Sequence, residues 1–254
     1  MNTSSHRFLF ALSLALTFTR PLHAAPPLKI CLLSASAEYK SDQSLAALQQ
    51  FLETNFNASC TRVFGADKGD KLPDLEALDT ADVMVVFTRR VILPPDQMAR
   101  VRKFVAAGKG IVGIRTASHA FQNWEPNVKA FDHDILGGSY DNHYGKDEPA
   151  RVRFEEKAKN HPVLAGLEPF ITNGKLYKNH DLARDVTHLL TATTPDHTEP
   201  VAWVRELKEG GRVFYTSLGV PEDFQNVNFR RLLANAIFWS ARRPLETLAA
   251  QKTN

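Results

Sequence analysis

The sequence predicts an α/β domain with a mostly parallel sheet and helices on both faces. Strand-like and helix-like segments alternate through the first half, the order that builds parallel sheets. The third strand candidate, Val83–Phe87 (VMVVF), is an unbroken apolar, β-branched run, as in a strand buried on both faces. Roughly 230 residues follow a leader-like N-terminus, enough for one α/β domain with a single core.

Leu28–Ser34 (LKICLLS) is the first strand candidate. Ser41 and Asp42 are N-cap candidates for a helix carrying Leu45, Leu48, Leu52 and Phe56 at helical spacing. Cys60–Phe64 is a second strand. Pro94-Pro95 opens a helix with Met98, Val101, Phe104 and Val105 on one side, and Gly108 ends it. Ile111–Ile114 is the fourth strand. Residues 116–150 then turn polar and aromatic, with a short helical candidate at Phe131–Leu136. Val152–Phe154, Leu189–Thr191, Val201–Leu207 and Arg212–Thr216 read as strands, the last two joined by the hairpin signal Lys208-Glu209-Gly210-Gly211. Phe229–Ala241 closes the domain as a helix. No repeat, low-complexity tract or interdomain linker interrupts it.

Residues 1–24 read as a secretory signal peptide and 25–254 as one domain. Arg7 precedes an 11-residue apolar run, Phe8–Phe18, and small residues around Ala24 and Ala25 suit cleavage. The run is too short to span a bilayer, which takes about 20 apolar residues. The mature chain is therefore expected outside the cytoplasm, secreted or periplasmic, with no membrane span. The 31 Lys and Arg against 28 Asp and Glu fall to 29 against 28 once Arg7 and Arg20 leave. That balance does not favour nucleic acid as a partner. An oxidising compartment permits a bridge between Cys31 and Cys60. Two buried, inert thiols are the other reading, because pairing distance is not legible in sequence.

Gly108-Lys109-Gly110-Ile111-Val112-Gly113 matches GxGxxG, yet it closes a helix and enters a strand. A dinucleotide fingerprint does the reverse, so no cofactor is expected. The carboxyl end of the fourth strand is more informative, because open parallel sheets bind ligands there. It delivers Arg115-Thr116-Ala117-Ser118-His119, presenting Arg115 and His119 at the mouth of a cleft. Four histidines, His119, His133, His143 and His161, fall within 43 residues. Imidazole serves as acid, base or metal ligand near neutral pH. No HExxH or paired-Cys signature accompanies them, so no metal is expected, and His161-Pro162 reads as a turn. Tyr140, Tyr144 and Tyr177 are candidates to stack on sugar rings; Trp203 and Tyr215, in strands, read more readily as core.

Several ordered segments resemble the ThuA-like (trehalose-utilisation) family. GKGIVGIRTASHAF (Gly108–Phe121) looks like its Gly-rich strand and turn, and FDHDILGGSYDNHYG (Phe131–Gly145) is similar to its LGG…H segment. NHPVLAGL (Asn160–Leu167), EPVAWV (Glu199–Val204), GRVFYTSLG (Gly211–Gly219) and FRRLLANAIFWSARRP (Phe229–Pro244) resemble further elements. The resemblance spans Leu28 to Pro244. It implies a flavodoxin-like, class I glutamine amidotransferase-like three-layer αβα sandwich. True amidotransferases carry a nucleophilic Cys after this strand; here Arg115 stands there, where many ThuA-like members have His. Arginine cannot attack a carbonyl, and Cys31 and Cys60 are expected at the amino ends of their strands. Val220 stands where members often have His after TSLG.

The resemblance implies sugar metabolism. The expected function is a secreted enzyme acting on a keto-sugar or keto-glycoside by acid/base chemistry: isomerisation, elimination or glycoside cleavage. His143 or His119 is the candidate base and Arg115 the candidate oxyanion holder. Asp132 or Tyr140 orients the sugar, with His133, Tyr144 and Tyr177 completing the candidate binding set. Two other classes fit the same residues: a non-catalytic carbohydrate-binding protein, and a metal-dependent hydrolase using His133 and His143.

Overall fold

A computed structural model describes residues 25–179 and 181–245. The leader expected over residues 1–24 lies outside the described residues. Nine strands form one sheet: β1 (Leu28–Ala35), β2 (Ala58–Phe64), β3 (Val83–Thr88), β4 (Gly110–Ile114), β5 (Ala150–Phe154), β6 (Phe170–Thr172), β7 (Thr187–Thr193), β8 (Thr198–Glu206) and β9 (Arg212–Thr216). Their order is β2-β1-β3-β4-β9-β8-β7-β5-β6.

The expectation of a mostly parallel sheet is corrected to a mixed one. β2, β1, β3, β4 and β9 pair in parallel. From β9 outward every pairing is antiparallel. The cause lies in the connections. Helices carry the chain between the early strands, whereas β7, β8 and β9 follow one another through short turns, which only antiparallel neighbours permit. Gly210, at φ 86°, turns the predicted β8–β9 hairpin.

Three longer helices cover the parallel half: α1 (Ser41–Asn55), α2 (Pro95–Ala106) and α3 (Val227–Ser240). α1 and α3 share one core with Ile30, Leu32, Val85 and Val112. α2 packs the other face with Leu33, Met84, Val86 and Ile111. β3 is accordingly buried at all six positions. Pro94 and Pro95 open α2 as predicted, and Met98, Val101, Phe104 and Val105 are its buried stripe. Asn226 caps α3, its side chain accepting the Asn228 N–H at 2.9 Å. α1 differs from expectation: its N-cap is Lys40, and Ser41 Oγ instead bonds Ser34 Oγ and the Ser36 N–H. Double cover does not extend over the whole sheet. β5 alternates buried and exposed positions, the pattern of a strand packed on one face only.

Both cysteines are free. Cys60 pairs in register with Ile30, so Cys31 points to the opposite face. Cys31 packs the α2-side core and Cys60 the α1-side core, which excludes the bridge. Neither lies at a strand's first residue: each is two or three positions in. Burial pushes both thiols up to about 12, so neither is a thiolate at neutral pH.

Candidate functional site

Five segments meet at the carboxyl ends of β1, β3 and β4. Sequence leaves β1 toward β2 on one side and reaches β3 on the other, so the β1/β3 boundary is a topological switch point. Glu38 and Tyr39 follow β1, Arg89 and Arg90 follow β3, and the 3-10 turn Arg115–His119 follows β4. Tyr140, His143 and Tyr177 come from later loops. His143 and Tyr177 are joined by an isolated antiparallel bridge.

Arg115 occupies the elbow with φ 45°, a conformation disfavoured for any residue with a Cβ. Its guanidinium does not stand at the mouth of a cleft, as the sequence suggested; the residue is 2 % exposed. Nη1 donates to Ser217 O at 2.7 Å and Nη2 to Lys175 O at 3.1 Å. Its Cζ lies 4.3 Å from the Tyr39 ring centroid and 4.6 Å from that of Tyr177, within cation–π range on both. Tyr215, fully buried, donates its OH to Arg115 O at 2.8 Å. Arg115 thus clamps two loops and two rings. Val220 shares that environment: a Cβ at Gly174 would overlap Val220 Cγ1 and lie 3.2 Å from Arg115 Nη2. Asp223 secures the turn beneath, its Oδ2 accepting from Gly219 N, Val220 N and Thr172 Oγ1.

His119 is 5 % exposed. Its ring stacks on Tyr140, centroids 4.8 Å apart, and tilts against Tyr177 at 6.4 Å. Tyr140 and Tyr177 are 4.5 Å apart. Burial pushes the His119 imidazole down to about 3, helped by Arg90, Arg89 and Arg115, so the ring is neutral at physiological pH. Its Nδ1 lies 3.0 Å from Ser118 Oγ. His143 is half-buried and stacks on Tyr177 at 6.5 Å. Its Nδ1 faces Tyr144 O at 3.0 Å. A carbonyl only accepts, so Nδ1 carries a proton toward it and Nε2 is the ring nitrogen left outside that bond.

Asp132 is buried in a π-helical turn, Asp132–Leu136. Oδ2 accepts the Tyr140 N–H at 2.8 Å, while Oδ1 has no partner among the described residues. A Cβ at Gly138 would overlap this carboxyl, which is why LGG needs its second glycine. Burial pushes Asp132 up to about 7, against the Tyr140 hydrogen bond and the charges of His133 and Lys129. Asp132 therefore positions Tyr140 from within rather than facing a ligand.

Two expected site residues lie elsewhere. His133 is exposed and sits against Asp134 at 3.0 Å; the π turn directs it outward. Tyr144 gives its OH to Glu199 and stacks on His197 at 3.6 Å, so its ring is already occupied. His161 holds the turn predicted for it, accepting the Val163 N–H. Trp203 and Tyr215 are core, with Trp203 Nε1 donating to Leu136 O. Among the described residues no three His, Cys, Asp or Glu side chains are grouped to hold a metal ion. Sequence reading missed Tyr39, Arg90 and Asp223. Tyr39 and Arg90 sit in short turns after strands, where position alone is the signal. Asp223 was noted only as part of the segment after TSLG.

Likeness to solved structures lies at the level of fold. A ThuA-like protein from Parabacteroides merdae ATCC 43184 superposes with TM-score 0.64 at 18% identity, over 85% of this chain and 90% of that one. A ThuA-like protein from Bacteroides uniformis ATCC 8492 gives 0.63 at 18% identity, over 87% and 95%. A cold-adapted β-galactosidase from Rahnella sp. R3 gives 0.57 at 15% identity, over 87% of this chain and 32% of its own. No curated protein matches the chain in sequence. The family model ThuA, described as trehalose utilisation, matches residues 29–240, and the chain belongs to that family.

Proposed function

We propose that this protein is a sugar-processing enzyme that acts on a keto-sugar or keto-glycoside by acid/base chemistry. Family membership supports the sugar-related role. The observation that carries the chemistry is the stack of two imidazoles and two phenols over a buried arginine at the switch point. The partly exposed Tyr140 ring suits the apolar face of a pyranose, whereas Tyr177, expected to stack on sugar, is 2 % exposed and supports the stack from beneath. His143, with Nδ1–H held by Tyr144 O and Nε2 left outside that bond, has the arrangement of an oriented base. It would take the proton next to the ketone. His119, held neutral, would hydrogen-bond the sugar without repelling or attracting charge. Arg115 is a positioning residue, since its Nη atoms are bonded to main-chain carbonyls.

Conversion of a panel of keto-disaccharides, followed by product analysis, tests this. His143→Ala is expected to lose about 10²-fold in kcat with an unchanged melt, the low end for a general base because water reaches a half-buried site. Tight sugar binding without turnover would leave a carbohydrate-binding protein in its place.

We propose further that the chain is exported, its first 24 residues removed. The Phe8–Phe18 run and the small residues at Ala24 and Ala25 support this. N-terminal sequencing of protein from its native host is expected to begin at Ala25 or Pro26. Recovery of an intact Met1 from the cytoplasm rejects it.

A further inference from the structure

Each of β1 to β4 is followed by a basic residue with left-handed backbone: Lys40 at φ 45°, Lys68 at 54°, Arg90 at 51° and Arg115 at 45°. Glycine or asparagine fills such positions with less strain, and strained residues gather at functional sites. Arg115 is buried, but Lys40, Lys68 and Arg90 are exposed. Neighbouring Arg89 is taken by Asp67 at 3.3 Å and Glu38 at 3.5 Å. Among the described residues Lys40, Lys68 and Arg90 have no carboxylate within ion-pair reach.

The loops that carry these cations are stitched together by main-chain bonds. Lys68 N–H donates to Arg89 O at 3.0 Å, and Arg90 N–H donates to His119 O at 2.8 Å. The Arg90 main chain is therefore tied to that of His119, whose imidazole stacks on Tyr140. Its field is felt there: after burial, Arg90 is the foremost charge depressing His119.

We propose that Arg90 anchors an oxyanion on the sugar, so that the substrate is an acidic sugar bearing a carboxylate or phosphate. This deepens the reading above and rests on it. A guanidinium offers a planar fork that fits such a group with two hydrogen bonds. Lys68 and Lys40 add to the attraction from the flanking loops.

Calorimetric titration with glucuronate, glucose 6-phosphate, glucose and inorganic phosphate tests it. One or both sugar acids are expected to bind about 10- to 100-fold tighter than glucose, the scale of a charged hydrogen-bonded contact. Their affinity falls as salt rises. Arg90→Asn removes the charge and tolerates the left-handed backbone, so its melt stays at or above that of the wild type while the acid preference disappears. Whichever acid binds identifies the anion. Equal affinity for glucose and both acids overturns the anchor and leaves the sugar site standing. Preference surviving in Arg90→Asn also overturns it, as does inorganic phosphate binding as tightly as the sugar acids. Absence of binding by both sugar acids overturns this inference, while turnover of the keto-disaccharide panel decides the sugar-site reading separately.

Discussion

Replacing Arg115 with alanine is expected to lower stability by about 3–5 kcal/mol, the sum of two buried acceptors left unpaired and the void of a large buried side chain. In a domain of this size that is a fall in Tm of roughly 10 °C. The truncation strands the carbonyls of Ser217 and Lys175, which now receive Nη1 and Nη2, and a buried acceptor without a donor is costly. It also opens a void between the Tyr39 and Tyr177 rings. Arg115→Lys is expected to recover less than half, because one ammonium cannot span two carbonyls and face two rings. Arg115→Gly removes the same side chain but accepts φ 45°, so it is expected to be about 1 kcal/mol more stable than Arg115→Ala. Thermal and urea melts of the three variants check this. An Arg115→Ala protein melting within 2 °C or so of the wild type means the clamp contributes nothing.

The second large effect concerns pH, and wild-type protein hides it. Asp132 is raised from 3.8 to about 7 by burial. The folded state keeps that proton where the unfolded chain has lost it, so stability from Asp132 falls as pH rises from about 4 to about 7. His119 is lowered from 6.5 to about 3, by burial and then by Arg90, Arg89 and Arg115. There the unfolded chain binds the extra proton, so stability falls as pH drops from about 6.5 to about 3. Each linkage is worth about 4–5 kcal/mol, and the two have opposite signs over nearly the same window. Together they cancel between about pH 4 and 6.5. Asp132→Asn is expected to gain stability with rising pH across that window, by up to about 4 kcal/mol. His119→Gln is expected to lose it with rising pH by a similar amount. Urea melts at three pH values within the window decide the matter, and parallel profiles for all three proteins would refute it.

By itself the sequence determined the elements that local chemistry specifies. The β-branched run at Val83–Phe87 had to be a central strand, and the strand stands between β1 and β4, buried at every position. Pro94-Pro95 had to open a helix and Gly108 to end it, because one fixes φ and the other accepts a positive one. The hairpin glycines at 210 and 211 already signalled an antiparallel pair, and the mixed sheet is that signal repeated through β7. β6 escaped notice because three residues carry no period. The ordered family motifs also pointed to the carboxyl end of β4, where His119 lies. Tertiary structure alone decided what the side chains do there. Arg115 follows a strand end, a position that reads as exposed, yet Tyr39 and Tyr177, 76 and 62 residues away, close over it. Cys31 and Cys60 neighbour each other across β1 and β2 but face opposite cores, a matter of one residue in register. His133 and His143 look alike in sequence, but a single π turn sends one to solvent while a bridge to Tyr177 draws the other in. Backbone periodicity is local and can be read along the chain. Burial and charge depend on what distant segments bring, and only the folded arrangement supplies that.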